Sequence, residues 1–526
     1  MRTLAVLKAL SWAGTTAVAA RGVTGTWNVV SSLTWLHGGE PGNRPAPVSA
    51  GSRPAERRPY FVLVLPMLRE QTLIADAVSR FAELAGTWAD SSLVVVTTER
   101  ERAERGRTEQ RAPGLAQALT DRASPRRIMG RFLGVLPRQG LERLAATAAG
   151  QPYEQCLAAV RAALGDVRDT DVLAGELVAK ARAEGVDAWH YHCPQPDAAM
   201  VHQVNHAARA EIDRLTAGGV DPGRIWVVIY NADSQPDPAI LPTAAGTITR
   251  LAADPGPAPR ILQQSALFTA NLRRMHSGPA GIVLTGAALL QSRWTLAREI
   301  PRLRRQANQA RTRPNRAGRW PWLAHCVGHG LFINADLFTD TGGLPTASMN
   351  EDLATGYLAC AAGIPIDPVP LLEWADSPET VTGMVRQARQ WFWSYTEYPR
   401  FADMAARANL GRSGQRVWLS AQGVARGALW LGQSPATAAV LALPALAGRR
   451  GLAAAVSVLT AYYVAPFILI ARESRRHGYP VHIGGRELAG GLAACLTGSA
   501  GPWWCLVSAA RHALTGAHYS HDRTAR

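Results

Sequence analysis

IWVVIYNADSQPDP, residues 225–238, decides the reading of the chain: an unbroken apolar run ends in Asn231, Asp233 and Asp237, with Pro236 and Pro238 closing the turn. Short apolar runs bounded by turn residues form strands buried on both faces, as in parallel sheets. The segment before it, 198–217, has helical spacing and reaches the run through an Asp221-Pro222-Gly223 turn. Two earlier runs share this texture: YFVLVLP at 60–66, followed by a helical stretch, and SSLVVVTTE at 91–99. Strands alternating with helices predict a doubly wound α/β sheet. Ligands of such sheets bind beyond the carboxyl ends of the strands, where Glu70, Glu99 and the acidic turn at 231–237 fall.

Composition narrows the function classes. The chain has 526 residues, room for one large domain and a further helical region. Its formal charge of +16 arises from 56 basic and 40 acidic residues, and Lys8 and Lys180 are its only lysines. A basic surface suits a phosphate-bearing substrate or anionic lipid. Nucleic acid is not an expected partner, because no recognition motif accompanies the charge. The six cysteines are scattered without a CxxC pair and read as thiols of a reducing compartment.

Both ends of the chain point to a membrane. Residues 1–36 are apolar but broken by Lys8 and Arg21, which predicts an interfacial membrane helix rather than a cleaved signal. Residues 37–59 are rich in Gly, Pro and Arg and form a linker, and 100–188 read as a charged, Ala-rich helical elaboration. At 451–471, GLAAAVSVLTAYYVAPFILIA is uncharged and long enough to cross a bilayer of about 30 Å. Residues 430–448 and 487–510 are weaker spans, and the basic loop at 472–478 marks a cytoplasmic side, with the catalytic domain on it. A buried helical bundle in a soluble protein is the other reading of this region.

Three stretches carry chemistry. Asp233 follows a strand directly and is the candidate ligand for a divalent metal bound to a diphosphate, which needs few protein oxygens. Taken alone, the same turn is an Asx-capped loop. Asn350-Glu351-Asp352 opens an Ala- and Leu-rich helix, where acids favour the helix dipole, or where Asp352 could take a proton from an acceptor hydroxyl. RQARQWFWSY at 386–395 interleaves aromatic rings with Gln and Arg, a pattern for stacking on sugars or for lying at a lipid headgroup layer. The pairs His202/His206 and His325/His329 have helical spacing but lack the Glu of a HExxH zinc motif, and no zinc site is expected.

These pieces, in this order, resemble the family-2 glycosyltransferases over roughly residues 60–400, especially the membrane-bound branch that includes cellulose and hyaluronan synthases. The resemblance implies a GT-A-like, Rossmann-type nucleotide-sugar domain at 60–405 with an insertion at 100–188, then transmembrane helices over 415–510 and a tail at 511–526. Pro66 to Glu70 (PMLRE) fits the family's Pro-x-x-x-Glu and implies nucleoside contacts. Glu99 stands where an acidic residue approaches base and ribose. Asn231-Ala232-Asp233 occupies the DxD position, implying Asp233 as ligand of Mg²⁺ or Mn²⁺, with Asn231 in place of the first Asp. Glu351-Asp352 matches the Glu-Asp pair and implies Asp352 as general base. Gln387 and Trp391 match the acceptor-side Gln-x-x-Arg-Trp motif; Gln390 stands where its Arg is expected, with Arg389 as substitute. The implied reaction is an inverting, metal-dependent hexosyl transfer from a nucleotide-sugar, a UDP-sugar being expected, to a lipid-linked or glycan acceptor. The implied setting is the inner cell membrane, multi-pass, with the catalytic domain cytoplasmic. A catalytically inactive nucleotide-sugar-binding membrane protein of the same fold is the alternative.

Overall fold

The computed structural model describes residues 2–38, 58–124, 138–275, 278–312 and 320–515, with Ile128, Phe132 and Leu136. Most of the expected linker and the last residues of the expected tail lie outside these. Eight strands form one sheet: β1 Tyr60–Pro66, β2 Ser91–Thr98, β3 Ala188–Cys193, β4 Ile225–Ile229, β5 Gln235–Pro236, β6 Ile261–Leu267, β7 Leu331–Asn334 and β8 Ile366–Trp374. Their order is β3-β2-β1-β4-β7-β6-β8-β5.

The first four strands are parallel; β1, β2 and β4 fall on the three apolar runs, while β3, Ala188–Cys193, is a strand the sequence reading does not contain. The sheet as a whole is mixed. β7 is antiparallel to both β4 and β6, and β5 is antiparallel to β8. The consequence is positional: Leu331 at the start of β7 lies opposite Ile229 at the end of β4. The amino end of β7 therefore shares an edge with the carboxyl ends of its neighbours, and the Gly328-His329-Gly330 turn is delivered there. Gly330 has φ 61°, and a Cβ on it would meet the Gln264 backbone oxygen at 2.9 Å, so the turn depends on glycine.

Alternation along β1 divides the core. Val62 and Val64 pack with Val201, Val204 and Ala208 of the helix Met200–Ala217 and with Tyr357 of the helix Glu351–Ala362. Phe61, Leu63 and Leu65 pack with Val78 and Phe81 of the helix Ile74–Gly86 on the opposite face. Full burial of such side chains is worth roughly 1.5–3 kcal/mol each, so the central strands are the stable frame on which the edge is built. Between β2 and β3 the chain forms helices Arg100–Glu109, Ala112–Thr120, Arg138–Thr147, Tyr153–Gly165 and Thr170–Ala183; several share a small core around Leu115, Leu119, Leu141 and Val160.

A third core joins the sheet to the two chain ends. It unites Leu267 and Trp374 at the ends of β6 and β8 with Val29 and Leu33 of the N-terminal helix Arg2–Leu36 and with Tyr463 and Phe467. The expected interfacial segment is thus one 35-residue helix, packed along residues 433–464. Among the described residues one helical segment, Gln433–Arg476, is long and apolar enough to cross a membrane. It is not a continuous rod: Gly448 has φ 58° and ψ −140°, and a Cβ on Gly451 would collide with the Leu443 backbone. The weaker span at 487–510 consists of two shorter helices, Gly485–Thr497 and Ala500–Thr515.

Candidate active site

The edge where β1, β2, β4 and β6 end gathers three chain segments. The loop after β4 carries Asn231 and buried Asp233, and is fixed by Arg80 Nη1 donating to Ser234 O at 2.9 Å and by β5 pairing with Glu373 and Trp374 of β8. Tyr479 closes the same corner, donating to Gln235 Oε1 at 2.6 Å while stacking on Trp374 at 5.1 Å. The turn before β7 brings His329, whose Nδ1 lies 3.1 Å from the fully buried Glu373 Oε2. Gln263 holds that turn from below: its Oε1 accepts from Val327 N at 2.9 Å and its Nε2 donates to His329 O at 2.9 Å.

The imidazole of His329 is kept charged. Burial alone would lower its pKa, but the charge of and bond to Glu373, with Glu299 and Asp233, outweigh burial and raise it to about 9. Its positive charge is felt in turn by Asp352. The adjoining Gly328 brings this turn against Asp352, whose Oδ2 would lie 3.5 Å from a Cβ built there.

Glu351 and Asp352 are half-buried at the first turn of their helix. Burial raises both carboxyl groups, and the negative charge of Asp352 raises Glu351 further. Asp352 has the fuller compensation: its Oδ1 accepts from Leu353 N at 2.8 Å, the Gly328 amide also donates to it, and His329 lies near, whereas Glu351 is lowered only by its own backbone amide. Of the pair, Asp352 is the one built to carry the charge while Glu351 retains the proton.

The helix Val381–Thr396, which bears the aromatic cluster, is fastened to this pair through Asn350. The Asn350 Nδ2 donates to Gln390 O at 3.0 Å and to Ser394 Oγ. Trp391 faces the site, 6.5 Å from the ring of Phe268, which itself meets His329 edge-on at 6.2 Å. The Arg389 guanidinium lies 4.5 Å over Trp504 in the C-terminal helix, and Gly501 packs against its backbone. Gln387 lies two turns into the same helix, half-buried.

On the first two strands, Pro66 ends β1 opposite Val96, and the Glu70 carbonyl accepts from Leu73 and Ile74 amides as the next helix starts. Glu99 is engaged by Arg102 Nη1 at 3.0 Å and His192 Nε2 at 3.1 Å. The residue that shapes this loop is instead Glu101, buried, which accepts from Arg69 N at 3.0 Å, Gln71 Nε2 at 2.7 Å and Thr170 Oγ1 at 3.0 Å. Arg69 adopts φ 58° there.

Sequence reasoning missed Glu101, Gln263 and Glu373, and weighed His329 only as a zinc ligand. The available signal was polar residues inside apolar strands, Gln263-Gln264 in β6 and Glu373 in β8, since a buried polar group requires a partner. A separate groove of about 1240 Å³, lined by His202, Asn205, Arg209, Gly343 and Thr355, does not include Asp233, His329 or Asp352.

Among the described residues no three His, Cys, Asp or Glu side chains are grouped to cage a metal ion. The donor set fits a cation that arrives with a diphosphate, taking one carboxylate from the protein and the remaining oxygens from phosphate and water, as Mg²⁺ does. No protein-family model matches the chain, and no curated protein matches it. Among solved structures, the mannosyltransferase PcManGT from Pyrobaculum calidifontis, in complex with GDP-Man and Mn²⁺, is similar at 15% identity and a TM-score of 0.41, over 97% of this chain and 100% of that one. A likeness at that level carries neither site nor substrate over to this chain.

Proposed function

We propose that this chain is a membrane-attached glycosyltransferase that moves a sugar from a nucleotide-sugar to an acceptor hydroxyl with inversion. The observation that carries the reading is the meeting of three segments at the carboxyl edge of the sheet: the Asp233 loop runs into Gln235 and Pro236, which pair with Glu373 and Trp374, His329 Nδ1 lies 3.1 Å from Glu373 Oε2, and a Cβ on the adjoining Gly328 would lie 3.5 Å from Asp352 Oδ2. The motif order on which the family-2 resemblance rests supports the same assignment.

In this reading Pro66, Glu70, Glu99 and Asn231 line the nucleoside side, and Asp233 holds Mg²⁺ or Mn²⁺ with the diphosphate. The metal supplies charge neutralisation for the departing diphosphate. The chain's own residues do the rest. Asp352 accepts the proton of the acceptor hydroxyl as its oxygen forms a bond to the anomeric carbon; the bond from that carbon to the diphosphate oxygen breaks, and the nucleoside diphosphate leaves with the electron pair. His329 contributes a fixed positive charge on the side where negative charge develops, in a setting where little reorganisation is needed. Glu351, protonated, avoids a second negative charge beside the base. Trp391 and Gln387 border the acceptor, and Arg389 serves to anchor their helix on Trp504. A nearby membrane layer suits a lipid-linked or membrane-emerging acceptor.

The test is nucleotide release by the detergent-solubilised protein across UDP-, GDP- and dTDP-sugars with Mg²⁺ or Mn²⁺, with lipid extract as acceptor. Release of one nucleotide that stops on chelation of the metal is the expected result. Binding of a nucleotide-sugar without release from any donor favours the inactive binding protein of the same fold.

A further inference from the structure

We infer that Arg302 and Arg426 form an anion subsite on the acceptor side of the cleft, and that the acceptor therefore carries a phosphate group. The inference rests on the acceptor-side reading proposed above, and extends it from the hydroxyl that reacts to the charge that travels with it.

The two guanidinium groups come from helices far apart in sequence, Ile300–Thr312 and Ser413–Leu431, and act on the same rings, Tyr395, Tyr398 and His325. Tyr395 and Tyr398 lie 6.0 Å apart, and His325 lies 6.3 Å from Tyr395 with its Nε2 2.8 Å from Tyr398 Oη. Arg426 Nη2 donates to Leu323 O at 2.7 Å, and a Cβ on the adjoining Gly427 would lie 3.1 Å from Tyr395 Cβ. The Arg302 guanidinium lies 5.9 Å over the Trp294 ring, and Leu303 beside it packs in one core with Leu323 and Tyr398. This cluster stands one helical turn from the proposed base. Gly356 follows Asp352 by four residues on the helix Glu351–Ala362, and a Cβ on it would lie 2.9 Å from His325 Cα. Tyr395 follows Trp391 by one turn on the aromatic helix.

Among the described residues no carboxylate pairs with Arg302 or Arg426. Arg298, one turn earlier on the same helical run, adds a third like charge. Glu299 senses Arg302, but burial raises its carboxyl to about 7, so at neutral pH it is only partly ionised. Burial, and then the charge of Arg426, lower Arg302 to about 9, and burial with both arginines holds His325 neutral. Arg426 Nη1 is buried without a hydrogen-bond partner. An unpaired buried charge is strongly destabilising, and one anion received by both guanidinium forks removes that cost.

Charge selects the anion. Two guanidinium groups match a phosphate monoester, which carries about −1.5 to −2 near pH 7 on three strong acceptor oxygens. A single carboxylate brings one negative charge and leaves one fork uncompensated. Half-buried Arg302 and Tyr395 keep one side of the subsite open to a ligand. Two sources supply this chemistry: the phosphate that links a glycan to a lipid, and a phosphate on a soluble glycan.

The test measures binding without turnover by the full chain in detergent, for the native protein, Arg302→Gln, Arg302→Lys and Arg426→Gln. The probes are inorganic phosphate, a short polyprenyl phosphate, the matching neutral polyprenol, and UDP or GDP with Mn²⁺. In both Gln variants the Kd for phosphate and for polyprenyl phosphate should rise about tenfold or more, the weight of one charged hydrogen bond, with Arg302→Lys in between. The Kd for nucleoside diphosphate should stay within about twofold. Polyprenyl phosphate binding more tightly than both inorganic phosphate and polyprenol assigns the lipid source; arginine-dependent phosphate binding with no preference for the lipid form supports the subsite with a soluble acceptor. If Arg302→Gln fails to fold, Arg302→Lys and Arg426→Gln carry the comparison. Unchanged phosphate binding in the folded variants, or a nucleoside diphosphate Kd that rises in step with it, would overturn the inference. Phosphate binding that needs both arginines in a protein that binds no nucleoside diphosphate would sink the transferase reading and leave the anion subsite standing, so the two fail separately.

Discussion

His329 Nδ1 lies 3.1 Å from Glu373 Oε2, and Glu373 is wholly buried at the end of β8. The turn before β7 supplies the imidazole, β8 supplies the carboxylate, and β5 lays the Asp233 loop across the same strand end. One ion pair thus fixes three segments that are distant in sequence.

That pair makes stability depend on pH in a definite direction. The folded His329 value of about 9 lies above the ordinary 6.5, so its contribution is complete below pH 6.5 and is lost as pH rises through 9. His329→Gln should cost roughly 3–5 kcal/mol near pH 6, the range for breaking one side of a buried pair. The gap between the two proteins in apparent unfolding temperature should narrow toward pH 10. Parallel curves over that window would show that His329 is not held charged.

The rate should also carry the mark of a raised carboxyl. Burial lifts Asp352 above the usual carboxylate range, and its carboxylate form is the active one as a base, so transfer should fall as pH drops through a value clearly above about 4. A pH profile of kcat with its acid limb at an ordinary carboxylate value contradicts this environment.

Asn350→Ala removes the two bonds that tie the aromatic helix to the Glu351–Ala362 helix. Each unmet buried group costs roughly 1–3 kcal/mol. Acceptor KM should rise several-fold while donor affinity stays within about twofold, because Asn350 touches only the acceptor side in this reading. Equal loss on both sides, measured by titration of each substrate, would speak against that division.

Glu101→Ala should act on the other side. It strips the acceptor from Arg69 N, Gln71 and Thr170, donors that hold the loop between Pro66 and Glu70. With each lost bond worth roughly 0.5–1.5 kcal/mol, nucleotide-sugar Kd should rise about tenfold or more. An unchanged Kd by calorimetry would remove that loop from the donor site.

Polar His190 and His192 hid β3, whereas β1, β2 and β4 of the parallel half were legible because they are apolar on both faces, and periodicity reports that directly. β7 was not, since four residues after a glycine turn carry no directional signal, and its antiparallel course is decided by pairing with β4 and β6. The same limit hid His329: its place follows from strand direction, not from spacing to His325, which instead bonds Tyr398 at 2.8 Å. The place of Asp233 after a strand and of Asp352 at a helix start was legible from local pattern; their proposed roles, and that of Trp391, rest on the resemblance. The stacking of Arg389 on Trp504 was not legible, because that ring is 115 residues away.

The most direct measurement compares Asp352→Asn with the native protein in two assays, nucleotide-sugar Kd and sugar transfer at saturating donor. The account predicts a Kd within about twofold and transfer reduced roughly 10²–10⁴-fold, the usual contribution of a positioned base. Transfer within a few-fold of native, or a donor affinity lost in step with turnover, would contradict the assignment of Asp352 as the base of a glycosyl transfer.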